Sequence, residues 1–258
     1  MPTAAGIHYF LNEGGGPKKA PLVLIHGAGG DHLSWPPEIR RLTGARVFTL
    51  DLPGHGKSKG PGLQSVGDYA ESVIAFMNAA GLSRAVFIGH AMGGAIAMTL
   101  AIYHPLRVAG MGLIATGARL PIADEVLDNA ANPATFTLAV QSLQELMNTP
   151  LTAKIVKDQV FKQLSSIRPT LFQGDLRACD QFNVSDSIDD IRSPVLVVCG
   201  TGDQLAPRRF SENLAEKIPG AALQTVEGAG HQVMLEQPHR VAGLLSVFLK
   251  VIPFLPGT

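Results

Sequence analysis

The segment Gly89-His90-Ala91-Met92-Gly93 has the spacing of a nucleophile elbow, Gly-x-nucleophile-x-Gly, between an apolar run and a helix of small residues. In such an elbow the central residue sits in a strained turn. The flanking glycines are needed because backbone and following helix come too close for a Cβ. The central residue here is Ala91, and a methyl group can neither be deprotonated nor attack a carbonyl. The other parts of an acyl-transfer site stand around it in chain order. Leu24-Ile-His26-Gly27-Ala28-Gly29-Gly30 follows an early apolar run and can turn backbone N–H groups toward a developing oxyanion. Gly200-Thr-Gly-Asp203 follows a late run and offers a carboxylate; Gly228-Ala-Gly-His231 follows the last and offers an imidazole. Nucleophile position, acid and His, each after an apolar run, is a combination that suits nucleophilic catalysis.

The elements that must position these residues are short apolar runs separated by helix-length segments. Leu22–Ile25, Arg46–Leu50, Ala85–Ile88, Met111–Ile114, Val195–Val198 and Leu223–Val226 mostly lack polar alternation, as strands covered on both faces do. Val66–Ala80, Met92–His104, Arg208–Lys217 and Pro238–Lys250 read as amphipathic helices between and after them. This alternation predicts an α/β fold with a mostly parallel sheet flanked by helices. Ile7–Leu11, followed by Gly14-Gly-Gly16, predicts an additional N-terminal strand and turn. From 118 to 187 the rhythm breaks, and Thr135–Met147 and Thr152–Leu164 have helical spacing. The expected organisation is a core of 1–117 and 188–258 with an inserted helical cap or lid at 118–187.

These features together resemble the α/β-hydrolase superfamily, in its lidded, bacterial carboxylesterase-like branch. Asp51-Leu-Pro-Gly-His-Gly-Lys-Ser58 adds to the likeness, as do the Met92-Gly-Gly94 ending and the string Pro194-Val-Leu-Val-Val-Cys-Gly-Thr-Gly-Asp203. The resemblance implies a serine hydrolase that cleaves carboxylic esters through an acyl-enzyme, and the modest size of the lid favours small to medium acyl groups over long lipids. The resemblance also implies Ser at position 91 as nucleophile, His231 as general base and acid, and Asp203 as the residue that orients His231. The backbone N–H groups of Ala28 and Met92 would form the oxyanion hole, and no metal or organic cofactor is needed. The chain as written is therefore read as an inactive Ser-to-Ala nucleophile variant. A C–C bond hydrolase, thioesterase, lactonase or iminopeptidase would share the same machinery. A naturally non-catalytic ligand-binding relative is the alternative from another class. An epoxide hydrolase or haloalkane dehalogenase is disfavoured, because those relatives need Asp at position 91.

Each candidate also has a plainer reading. Asp203 suits a helix N-cap, and Asp124 is a rival acid. His26 and His90 read as packing and hydrogen-bonding residues, and His55 as a turn former; His8, His32, His104 and His239 show no metal-ligand spacing. Trp35, Phe136, Met147, Leu205 and Val233 are the candidates for lining a substrate pocket. Lys154, Lys157 and Lys162 read as a solvated helix face, and Cys199 as a buried apolar residue.

Composition limits the partners. The 258 residues carry 21 Lys+Arg and 21 Asp+Glu, a formal charge of zero, so no general electrostatic attraction draws the chain to nucleic acid or anionic membrane. Apolar residues make up 46 % and charged residues only 16 %, which argues against disorder. Two cysteines, Cys179 and Cys199, are too few for a disulfide scaffold. No apolar stretch approaches the roughly 20 residues of a membrane helix, and Met1–Gly6 lacks the start of a secretory signal. The expectation is a cytoplasmic protein acting on a small-molecule ester, of unknown oligomeric state.

Overall fold

The computed structural model describes residues 2–14 and 19–252. Residues Gly15 and Gly16 of the predicted N-terminal turn lie outside them. The strands are β1 (Thr3–Ala4), β2 (Ile7–Glu13), β3 (Leu22–Ile25), β4 (Arg46–Leu50), β5 (Ala85–His90), β6 (Val108–Ile114), β7 (Val195–Gly200) and β8 (Ala222–Val226). The helices are α1 (Pro37–Arg40), α2 (Val66–Ala79), α3 (Met92–Tyr103), α4 (Asp124–Ala131), α5 (Phe136–Met147), α6 (Lys154–Ser166), α7 (Pro169–Asp180), α8 (Arg208–Lys217), α9 (Val233–Glu236) and α10 (Pro238–Phe248). None of the described helices is long and apolar enough to cross a membrane.

The strands form one sheet in the order β1-β2-β4-β3-β5-β6-β7-β8. β1 and β2, and β2 and β4, pair antiparallel; every other pairing is parallel. The buried runs behave as their composition demands. Along β3, Val23 and Ile25 join one core cluster while Leu22 and Leu24 join the other. On β5, Phe87 faces the first cluster and Val86 and Ile88 the second. Successive side chains of a strand point to opposite faces, so a sheet covered on both sides needs apolar residues at consecutive positions. α2 and α3 cover one face, and α1, α9 and α10 the other.

Strand order reverses between β3 and β5: from β3 the chain steps outward to β4, and from β5 it steps the other way to β6, β7 and β8. A crevice opens at the carboxyl ends of the strands where such a reversal occurs, and ligands bind there. The loop after β3 carries Gly27–Gly30, and the turn after β5 is Ala91. Between β6 and β7 the chain places four helices, α4 to α7, with a third apolar cluster of their own that includes Val140, Leu143, Val160, Leu164 and Phe172. The sequence spacing anticipates α5 and α6; α4 and α7 are additions.

Candidate active site

The elbow is present in the backbone. Ala91 has φ 48° and ψ −111°, the left-handed side of the map that costs a residue with a Cβ on the order of 1–3 kcal/mol. The turn is pinned from several sides. The Ala91 N–H donates to the Ile114 carbonyl at 3.0 Å, and the Thr116 hydroxyl donates to the Ala91 carbonyl at 2.9 Å. The two elbow glycines are there for space. A Cβ on Gly89 would lie 2.1 Å from the Gly93 oxygen, and one on Gly93 would lie 2.1 Å from the Ile25 oxygen. Those neighbours are backbone and cannot swing away. α3, which follows, is not the amphipathic helix expected from its sequence: small residues let it pack on nearly all sides, so the elbow is seated on a helix held in the core.

The acid and the imidazole meet. His231 Nδ1 lies 2.9 Å from Asp203 Oδ2, with both side chains buried. A carboxylate oxygen only accepts, so Nδ1 carries the proton and Nε2 is left as the basic nitrogen. The second carboxylate oxygen of Asp203 accepts from the N–H groups of Leu205 and Ala206 at 3.0 and 2.9 Å. The turn-forming role and the His-orienting role thus fall to opposite oxygens of one carboxylate. Asp124 is exposed in the first turn of α4 and is not the acid that pairs with His231.

His90 and His26 are built into the frame. His90 Nε2 donates to the His231 carbonyl at 3.0 Å, and its pKa is pushed well below the ordinary value by burial and by the neighbouring His231. His26 Nδ1 donates to the Gly27 carbonyl at 2.8 Å, while Nε2 accepts from the Leu52 N–H at 3.0 Å. That arrangement requires a neutral ring. Its pKa is lowered to about 4, chiefly by burial and then by His55.

Ala28 and Met92, the expected oxyanion donors, both line a cavity that also takes in Ala91 and His231. Among the described residues neither backbone N–H has another hydrogen-bond partner. The cavity encloses about 770 Å³, mouth included, and its wall is mostly apolar. Met147 and Leu205 line it, as the sequence suggests. Trp35, Phe136 and Val233 do not. Trp35 and Val233 are fully buried in the cluster under the opposite face of the sheet, where chain proximity to the site does not carry over into space. Phe136 packs edge-on against Phe172 at 5.9 Å between ring centres, and it is Phe172 that reaches the cavity. Leu143, Val160, Leu164 and Leu176, from α5, α6 and α7, and Leu120 and Ile122, from the segment before α4, belong to the wall that sequence reasoning missed. The helical spacing of the first four marks them as buried but does not say against what.

The sequence shows no metal-ligand spacing, yet the fold brings His8, His32 and Asp51 together. His8 Nδ1 and His32 Nδ1 sit 2.7 and 2.8 Å from the two Asp51 oxygens, which also accept from the backbone N–H groups of His32 and Lys57. Burial pushes the Asp51 carboxyl upward, but these donors outweigh it and hold the group well below the usual carboxylate range. With four donors already on it, the carboxylate is arranged as a hydrogen-bond knot tying β2, β4 and the loop after β3.

Comparison with known proteins bears on the family and the fold. The family model described as alpha/beta hydrolase fold matches residues 20–238. The chain is 31 % identical over 246 residues to the dihydrolipoyllysine-residue acetyltransferase component of the acetoin cleaving system of Pseudomonas putida, covering 92 % of this chain but only 65 % of that protein. It is 30 % identical over 264 residues to 2-hydroxymuconate semialdehyde hydrolase of Pseudomonas putida, covering 95 % of this chain and 92 % of the other. Among solved structures, an N-acyl homoserine lactone degrading enzyme superposes with a TM-score of 0.83 at 27 % identity, covering 94 % of this chain and 96 % of that one. A family match spanning most of the chain, on a sheet whose strand order turns at the elbow, leaves one assignment: the protein belongs to the α/β-hydrolase fold family.

Proposed function

We propose that this framework is built to hydrolyse carboxylic esters of small to medium acyl length through an acyl-enzyme, with Ser in place of Ala91. The observation that carries the proposal is the His231–Asp203 pair at 2.9 Å, on the same cavity as a strained elbow and two unengaged N–H groups. With Ser at 91, His231 Nε2 would take the hydroxyl proton as Oγ attacks the acyl carbon. The N–H groups of Ala28 and Met92 would bind the carbonyl oxygen as it gains charge. His231 would then protonate the leaving alcohol, and water activated by the same nitrogen would release the acid and restore Oγ–H. Asp203 keeps His231 in the right tautomer throughout. The chain with Ala91 lacks the nucleophile, and on this reading it is an inactive Ser-to-Ala variant.

The four helices between β6 and β7 act on this reading as the lid, 118–187 over a core of 1–117 and 188–258, and their apolar side chains select the acyl group. The partner is a small-molecule ester, no cofactor is required, and the site of action is the cytoplasm. A lactone is a cyclic ester, so the likeness to a lactone-degrading structure supports the ester class; the likeness to 2-hydroxymuconate semialdehyde hydrolase supports hydrolysis of a small molecule more broadly.

Ala91 itself favours a second reading, a ligand-binding member that keeps the cavity and does no chemistry. Hydrolysis of nitrophenyl esters of increasing acyl length by Ala91→Ser and by the parent chain separates the two. Loss of the nucleophile in another triad hydrolase costs about 10⁶ in kcat, so the Ser form should exceed the parent by several orders of magnitude. If both forms are inert across the series, the esterase reading fails and the binding reading takes its place.

A further inference from the structure

One lid carboxylate is wired into the core from a distance. Asp175, on α7, is fully buried and accepts three hydrogen bonds from residues 106 to 146 positions away. The Gly29 N–H donates to Oδ2 at 2.8 Å, His55 Nε2 to the same oxygen at 2.7 Å, and the Tyr69 hydroxyl to Oδ1 at 2.7 Å. Gly29 is the residue after the expected oxyanion donor Ala28. The His55 contact is demanding as well. Nε2 faces the Asp175 carboxylate and Nδ1 faces the Pro53 carbonyl at 3.0 Å. Both partners only accept, so both ring nitrogens must carry protons and His55 is an imidazolium.

We propose that Asp175 is the positioning residue of the oxyanion hole: the lid carboxylate, held by the His55 imidazolium and Tyr69, grips the Gly29 N–H and so fixes the direction of the Ala28 N–H. Seating the lid and aligning the oxyanion donor are then one event, and an open lid leaves the hole misaligned. The proposal rests on the esterase reading for its catalytic consequence, not for the latch itself. The groups facing the latch agree with it. Besides Asp175 and Tyr69, His55 faces His26, 4.9 Å between ring centres, and feels Asp51. His26 is neutral and adds no competing charge. Burial lowers the His55 pKa, but the charge and hydrogen bond of Asp175 outweigh it and raise the group above its ordinary value. The Tyr69 hydroxyl, buried beside the same carboxylate, is pushed up and stays a donor.

Because the His55 pKa is raised on folding, the imidazolium's share of the latch is full below the ordinary histidine value, as long as Asp175 stays ionised, and is lost as pH rises through the raised value. Amide hydrogen exchange on the chain as it stands tests this without any turnover. In Asp175→Asn, the 27–34 loop should exchange at least tenfold faster while β5 and β6 keep their protection. In the parent, protection of this loop should fall with rising pH by more than the intrinsic exchange rate accounts for. His55→Gln keeps an amide donor but no charge, so that extra pH dependence should vanish. In the Ala91→Ser background, Asp175→Asn should lower kcat by about 10- to 100-fold, short of the roughly 10²–10³ that outright loss of an oxyanion donor costs, with KM within threefold. Unchanged exchange in the loop, or a loss confined to KM, would overturn the proposal. Should Asp175→Asn fail to fold, the His55→Gln pH series decides alone. Should Ala91→Ser prove inert, the esterase reading falls while the exchange experiment still judges the latch.

Discussion

The elbow conformation can be weighed separately from the reaction by substituting Ala91→Gly. At φ 48°, ψ −111° the Ala91 Cβ is held in a region that costs on the order of 1–3 kcal/mol, and glycine removes that cost. Against it stand the extra chain entropy of glycine, roughly 0.5–1 kcal/mol, and the loss of one half-buried methyl, at most about 0.8 kcal/mol. The balance is a stabilisation of about 1 kcal/mol, which for a chain of this size raises Tm by about 2–4 °C. The control is Ala97→Gly in the middle of α3, where the residue is fully buried and its backbone is unstrained. There helix propensity and the lost methyl act together, for a cost of roughly 2 kcal/mol. Urea unfolding of parent and both variants should therefore bracket the parent, with Ala91→Gly above it and Ala97→Gly below. If Ala91→Gly loses as much as Ala97→Gly, the elbow is not strained and the reasoning about position 91 is wrong.

Two further outcomes concern the frame of the site. Gly93→Ala places a Cβ 2.1 Å from the Ile25 oxygen, a fixed backbone atom, so the cost should reach or exceed the upper end of the roughly 1–3 kcal/mol typical of overpacking; a urea midpoint close to the parent's would contradict the close approach. His26 and His90 are both buried with lowered pKa values, His26 at about 4 against an unfolded value near 6.5. Between those limits the unfolded chain binds protons that the folded chain does not, so stability rises with pH through the window. The His26 share is on the order of 3 kcal/mol. Unfolding free energies that are equal at pH 7 and pH 5 would refute it.

Legibility in the sequence followed the physics of burial. β3, β5 and β7 are legible because a strand covered on both faces must be apolar at consecutive positions, and Ala91 and Asp203 stand out because they follow two such strands; His231 follows β8, a half-exposed edge strand, and is marked by its Gly-x-Gly-His setting instead. α7 was missed although its signals were present: Pro169 opens it, and Leu171, Phe172, Leu176 and Cys179 share a buried face. α4 buries only Val126 and Ala130, too little for a periodic signal. The pocket wall was poorly legible for a different reason. Val233 is two residues from His231, yet a turn of backbone sends it to the far side of the sheet. Asp175 gives no hint at all, since its partners are set by the docking of α7 against two loops and helix α2, all more than a hundred residues earlier.

The division of labour in the elbow has a genetic corollary. On the proposed esterase reading, oxyanion binding is written in main-chain N–H groups at Ala28 and Met92, which almost any residue type would supply, so point mutations there leave the donors in place. Attack, by contrast, hangs on a single side-chain atom at position 91, and alanine codons (GCN) differ from serine codons (UCN) in one base. The backbone bears the strain of the turn whether or not the hydroxyl is present. On that reading a lineage with this fold stands a single transversion from a complete triad, and the alanine form keeps the strained turn and the His231–Asp203 pair that the return step would need.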